Sequence, residues 1–239
     1  MILARITDAL RAQNWTAIAL EFLLVLSSVV LGFQVTAWNE ARHDRQEATL
    51  MVARVADELE QSLQLVEAEL PVAETLVEAT GRAHTLLISG ALDESNRTEF
   101  ENSFSAAITM AEVRLHKSAL EVFQNSGAAN SGTPADLRLA IARYYEFVLI
   151  EREQDLLLLS DFTVLAGDLF DQIDVDTDYF STGHIRGDLA PLNDNPALAR
   201  TLLQINLRQQ VQVYRLEAIR DEILALRDLI AAEAGGGDG

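Results

Sequence analysis

The chain reads as all-α: one N-terminal transmembrane helix continuing into an antiparallel bundle with long helices. Three observations carry that reading. An uncharged run from Phe22 to Phe33 lies between Trp15 and Trp38. Apolar residues recur at steps of three and four over two long stretches, Leu137 to Leu169 and Leu198 to Ile230. No strand-like alternation bounded by turn residues persists, and no repeat of about 20–50 residues is present.

Residues 1–14 form an amphipathic juxtamembrane segment, with Ile2, Leu3, Ile6 and Leu10 on one side, suited to lying at a membrane interface. Residues 15–38 form the transmembrane helix. Trp15 and Trp38 stand 23 residues apart, which at about 1.5 Å rise separates the indoles by about 34 Å, close to a hydrocarbon core of roughly 30 Å. An indole is apolar with one N–H, so it settles where headgroups meet hydrocarbon, and the two tryptophans serve as interface anchors. Within the span, Glu21, Val25, Ser28, Gly32, Thr36 and Asn39 share one face and hold nearly all the polar and small residues. Ser28 and Gly32 give the small-xxx-small spacing that lets membrane helices approach closely. That face is read as a contact face, for a second copy or another membrane protein, and the rest as lipid-facing. A cleaved secretory signal is the rival reading, but the apolar segment is long and Trp38-Asn39-Glu40 continues the helical pattern without a break.

The same stretch, Glu21 through the apolar run to Gln34 and then Trp38-Asn39-Glu40, resembles the N-terminal signature of a bacterial family designated domain of unknown function 6090. Ser118 to Gly127, followed by Asp136 to Tyr144-Tyr145, is similar to that family's short helix, Ser-Gly turn and Leu-rich helix. The chain departs from the pattern at Ser27-Ser28 and over 127–130, where relatives carry larger apolar residues. The resemblance covers about 50 residues closely; it implies a single-pass bacterial membrane anchor and brings no catalytic residue with it.

Residues 39–233 form the extramembrane helical bundle. From Asn39 to Leu70 neither Pro nor Gly intervenes, and Val52, Val55, Leu59, Val66 and Leu70 form a stripe with Ser62 in it. Pro71 is expected to break or kink this helix. A second helix is expected over 72–89, ended by Gly90. Thr98-x-x-Glu101 reads as a capping box for a third, with Phe100, Phe104, Ala107, Ile108 and Ala111 on its apolar face. The pattern fails over Glu112 to Lys117, then resumes at Leu120 and Phe123. Thr133-Pro134 reads as an N-cap followed by Pro at the first helical position.

Two long helices complete the bundle. The seam of the first is Leu137, Ile141, Tyr144, Val148, Glu151, Asp155, Leu158, Phe162, Leu165 and Leu169. That of the last, opened by Asn195-Pro196, is Leu198, Leu202, Ile205, Gln209, Gln212, Leu216, Ile219, Ile223, Leu226 and Ile230, leaving Asn206, Val213 and Arg220 outside. Aligned antiparallel, the polar interruptions meet: Asp155 falls opposite Gln212 and Glu151 near Leu216, with Arg152, Arg208 and Arg215 at hand as donors. This polar layer of Glu151, Asp155, Gln209 and Gln212 is read either as a device that sets register or as a ligand or ion site inside the bundle. Residues 234–239 form a flexible Gly-rich tail.

Composition narrows the function classes. The net charge is −19, residues 1–38 sum to zero, and there is no cysteine. So acidic a body is repelled by nucleic acid and by anionic cytoplasmic lipid, which favours the extracytoplasmic side. Together with the bacterial anchor that the resemblance implies, the expectation is a large periplasmic domain held at the inner membrane. His43, His84, His116 and His184 are scattered and none forms a Glu-x-x-His motif. Asp174, Asp176 and Asp178 begin like a calcium loop, but Tyr179 and Ile185 occupy the positions that need Gly and Glu. No phosphate loop, nucleophile elbow or zinc motif is present, so no catalytic residue, metal ligand or cofactor is assigned. The expected function is a membrane-anchored, non-catalytic interaction protein, an accessory subunit or scaffold of a membrane complex. The alternative is an extracytoplasmic sensor-type ligand-binding bundle that acts through a partner.

Overall fold

The computed structural model describes residues 15–236, with side chains from Leu20. Its longest element is helix α1 (Trp15–Ile88), 74 residues without interruption, or about 110 Å at 1.5 Å per residue. Every residue from Leu20 to His43 is exposed, and the first buried one is Ala48. The apolar stretch therefore packs on nothing in its own chain, whereas the second half of the same helix is the spine of the bundle. Among the described residues this is the one helix long and apolar enough to cross a membrane.

After α1 come a 3-10 turn (Glu94–Asn96), α2 (Arg97–Ala107), a non-helical segment over 108–117, α3 (Ser118–Asn125) and α4 (Gly127–Gly132). The long helix α5 (Ala135–Phe170) follows. A loop then holds one antiparallel bridge, Val175 to Ile185, the short helix α6 (Tyr179–Thr182) and a second 3-10 turn (Ala190–Asp194). Helix α7 (Pro196–Gly236) closes the fold. Its start is capped by Asn195, whose side-chain oxygen accepts from the Ala197 and Leu198 N–H groups at 3.1 and 3.0 Å.

Two apolar cores stack along the bundle. The one nearer the anchor joins Val55, Leu59 and Val66 of α1 to Leu137, Ile141 and Val148 of α5 and to Leu216 through Ile230 of α7. The distal one joins Ala83 and Leu87 to Phe100, Phe104, Phe162, Leu198 and Ile205. Because α7 meets the distal core at its start and the proximal core at its end, it runs antiparallel to α1. Each fully buried Leu, Ile or Phe contributes about 1.5–3 kcal/mol, so both seams are strongly specified.

Several local expectations are corrected. Pro71 does not end the helix. It is exposed, so the Glu67 carbonyl it leaves unpaired faces water, while Val66 and Ala73 on either side are buried and hold the axis. The end at Ile88 is enforced by Gly90, at φ +66°, with the Ala91 N–H donating to the Leu86 carbonyl. Thr98 and Glu101 form no capping box. The box is made one turn earlier, where Asp93 accepts from the Ser95 N–H at 2.8 Å and Asn96 accepts from the Asp93 N–H at 3.0 Å. Helix α2 stops at Ala107, so Ala111 is buried from the non-helical segment. Thr133 is no N-cap: its hydroxyl donates to the Ala129 carbonyl, and Pro134 precedes the first helical residue, Ala135. Asn206 lies inside the bundle, 8% exposed. Helix α7 runs through Gly236, past the tail boundary at 234; residues 237–239 and the amphipathic segment 1–14 lie outside the described residues.

Candidate functional site

The antiparallel pairing of α5 and α7 brings the polar interruptions of their seams together. The Gln212 Nε2 lies 3.5 Å from Asp155 Oδ1, and Arg215 sits between the two carboxylates. Its Nη2 is 3.0 Å from Glu151 Oε2 and its Nη1 is 3.3 Å from Asp155 Oδ1. Nη2 also donates to the Glu151 carbonyl, and Nη1 to Gln212 Oε1 at 2.9 Å. Arg215 and Glu151 side chains are each 13% exposed, against 25% for Asp155. At that burial a lone carboxylate is costly, and the guanidinium fork offsets the cost by engaging both. Arg208 pairs instead with Asp161.

The glutamines have a different task. Gln209 Nε2 donates to the Ala106 and Thr109 carbonyls, both at 2.9 Å, and Gln212 Nε2 donates to the Ala111 carbonyl at 3.1 Å. From α1, the Ser62 hydroxyl accepts from the His116 N–H at 3.2 Å. All three polar seam residues thus serve the segment 108–117. A non-helical strand of backbone against a bundle brings N–H and C=O groups with no ladder to join, and these side chains supply the partners. Asn206 does similar work on α1, donating to the Val77 carbonyl at 2.6 Å.

Where 108–117 crosses the layer, the bundle opens into a cavity of about 380 Å3. Glu151, Asp155, Gln212 and Arg215 line it from the long helices, and Glu112, Arg114 and Lys117 from the segment. Arg114 is held above its ordinary value by its hydrogen bond to Glu112 and, more weakly, by the charge of Asp155.

Of two buried carboxylates, Glu58 escapes sequence reasoning and Glu101 is misread by it as a capping residue, because each accepts from backbone far away in the chain. Glu58, 6% exposed, caps α3 from α1: it accepts from the Ser118 hydroxyl at 2.8 Å and from the Ala119 and Leu120 N–H groups at 2.7 and 3.3 Å. Lys117, at the N-cap position, provides no side-chain cap. Glu47 accepts from Ser126 and Asp44 from Ser131, so three acids of α1 just beyond the apolar stretch hold the 118–132 segment. Gly132 makes this approach close, since a Cβ there would fall 2.8 Å from the Ala48 Cβ and nearer still to the Asp44 carbonyl. Glu101, 7% exposed, accepts from the Ile185 N–H at 3.0 Å, with Arg97 and His184 each 3.4 Å away. In the acidic loop, Arg186 pairs with Asp174 and Asp176, so that cluster is already neutralised in part.

Along the apolar half of α1, Glu21, Val25, Ser28, Gly32, Thr36 and Asn39 occupy one open face. Ser28 and Thr36 return their hydroxyls to the Leu24 and Gly32 carbonyls, at 2.7 and 3.0 Å. Neither hydroxyl then needs an outside partner, and a Cβ at Gly32 would meet nothing within 4 Å. Glu21 has no hydrogen bond or ion pair among the described residues. Trp38 is 64% exposed with the Arg42 guanidinium 6.0 Å from its ring centroid, and Trp15 lies in the helix with its side chain outside the described set. No protein-family model, curated protein or solved structure matches this chain.

Proposed function

We propose that this protein is a membrane-anchored, non-catalytic interaction protein, an accessory subunit or scaffold whose acidic bundle stands on the extracytoplasmic side of a bacterial inner membrane. The observation that carries the reading is the continuity of α1, an apolar half whose described side chains are all open, running without a break into a half that is the bundle's spine. A second observation supports it. Leu203, Leu207, Val211 and Tyr214 line the outer face of α7 at 42–69% exposure, and Val164 of α5 shares a groove with Leu207. Contiguous exposed apolar surface of this kind marks contact sites.

The test is purification of the full chain from native membranes in mild detergent. A stoichiometric complex with another membrane protein or a second copy is expected, weakened by Gly32→Leu with the helical signal unchanged. A monomer, or a complex indifferent to Gly32→Leu, argues against the contact face. The cavity over the charged layer favours a second reading, a sensor-type bundle that binds a small ligand and acts through the partner.

A further inference from the structure

The cavity has three kinds of wall, and together they specify a ligand class. At the floor, two carboxylates share one guanidinium, which leaves one negative charge in excess. Glu151 Oε1 and Asp155 Oδ2 take no protein hydrogen bond among the described residues, neither is a fully buried atom, and both residues line the cavity. At the rim stand Arg114, Lys117 and Arg152. Arg114 is engaged by Glu112 and Lys117 by Glu121, while Arg152 has no ion pair among the described residues. Three of the 18 Lys and Arg residues of this acidic chain thus stand at the rim, and a fourth, Arg215, lies at the floor. Between floor and rim the surface is aliphatic: Val113, Val148, Leu156 and Leu216.

A simple organic cation suits the floor but meets the rim charges on entry. A simple anion suits the rim but faces the carboxylates at the floor. A molecule with an ammonium, a carboxylate and an apolar body satisfies all three walls, and 380 Å3 lies within the roughly 300–1,000 Å3 of small-molecule sites. We propose that this cavity binds an apolar α-amino acid, with its ammonium on Glu151 and Asp155, its carboxylate on Arg152, and its side chain against the aliphatic wall. The assignment rests on the ligand-binding reading and is independent of the partner reading.

The experiment is titration calorimetry on the full chain in lipid nanodiscs at neutral pH. The probes are L-phenylalanine, L-leucine and L-methionine, with 2-phenylethylamine and 3-phenylpropanoate as single-charge controls. At least one amino acid is expected to bind with Kd at or below about 1 mM, and at least about tenfold tighter than either control. Asp155→Asn is expected to weaken that binding about tenfold or more, since it removes a charge-assisted hydrogen bond. Arg152→Ala, on an exposed side chain that the fold does not need, is expected to do the same. Should Asp155→Asn fail to fold, Arg152→Ala decides the matter alone. No binding by any of the three amino acids at about 10 mM overturns the assignment, and the ligand-binding reading falls with it only if neither control binds. A control that binds as tightly as the amino acids overturns the ligand class only. Unchanged affinity in folded variants overturns the assignment of the residues.

Discussion

Glu58→Ala removes the side chain that, among the described residues, caps α3 from another element. Three donors lose their acceptor: the Ser118 hydroxyl and the Ala119 and Leu120 N–H groups. The hydroxyl can turn to solvent. The amides cannot follow it freely, because Leu120 is 1% exposed and α3 is pinned by Phe123 in the proximal core. A buried donor left unpaired costs about 1–3 kcal/mol, and a carboxylate at a helix N-terminus contributes up to about 2 kcal/mol through the aligned peptide dipoles. The combined loss is about 3–5 kcal/mol, a large share of the roughly 5–15 kcal/mol that holds a domain together. For a domain of this size that lowers Tm by on the order of 10 °C. Glu58→Gln keeps one acceptor oxygen without the charge, and costs about 1–2 kcal/mol. The assay is thermal unfolding of the full chain in detergent, followed by far-UV circular dichroism, with amide exchange read at Ala119 and Leu120. Faster exchange at those two amides should accompany the lower Tm. If Glu58→Ala melts within about 2 °C of the wild type, or if Gln is as costly as Ala, the remote cap does not hold α3.

Tyr144 is buried with no partner for its hydroxyl among the described residues, and burial pushes that hydroxyl's pKa up, with the charges of Glu58 and Glu222 adding to it. Tyr144→Phe should therefore raise stability by about 1 kcal/mol, read as a higher denaturation midpoint. Gly132→Ala drives a methyl into the Asp44 carbonyl and Ala48, so it should cost about 1–3 kcal/mol and increase amide exchange across 127–132. The Asp93 carboxyl is held below its ordinary 3.8 by hydrogen bonds from the Ser95 side chain and backbone. Its contribution is thus complete above the unfolded value and lost as pH falls through the lower folded one. An NMR titration should place its midpoint below 3.8, and a midpoint above that value would show that the turn is not capped.

The periodic parts of the fold are legible because burial imposes a period. Leu137 through Leu169 and Leu198 through Ile230 keep steps of three and four, and those steps are the faces that meet in the two cores. The apolar span is legible for a different reason: length and hydrophobicity are local properties. Pro71 misleads because a local rule is weighed without the packing on either side that overrides it. Asn206 misleads because the seam was drawn toward α5, while α7 also packs on α1, where Asn206 reaches Val77. The polar layer is legible as a set of residues, but not its reason: the Gln209 and Gln212 partners are backbone carbonyls about 100 residues away. Glu58 carries no sequence signal, and Glu101 carries a misleading one as the end of an apparent capping box, since each answers to donors placed by the tertiary fold.

The account turns on residues 15–38 crossing a bilayer as the first part of a helix that becomes the bundle. Alkaline carbonate extraction of membranes carrying the full chain tests this most directly, because it strips proteins held by charge and leaves those held by hydrocarbon. The account predicts that the chain stays with the membrane pellet, and that Leu24→Arg/Val30→Arg, which places two charges in the span at a cost of about 2.5–3.5 kcal/mol each, moves it to the supernatant. Release of the unaltered chain into the supernatant would contradict it.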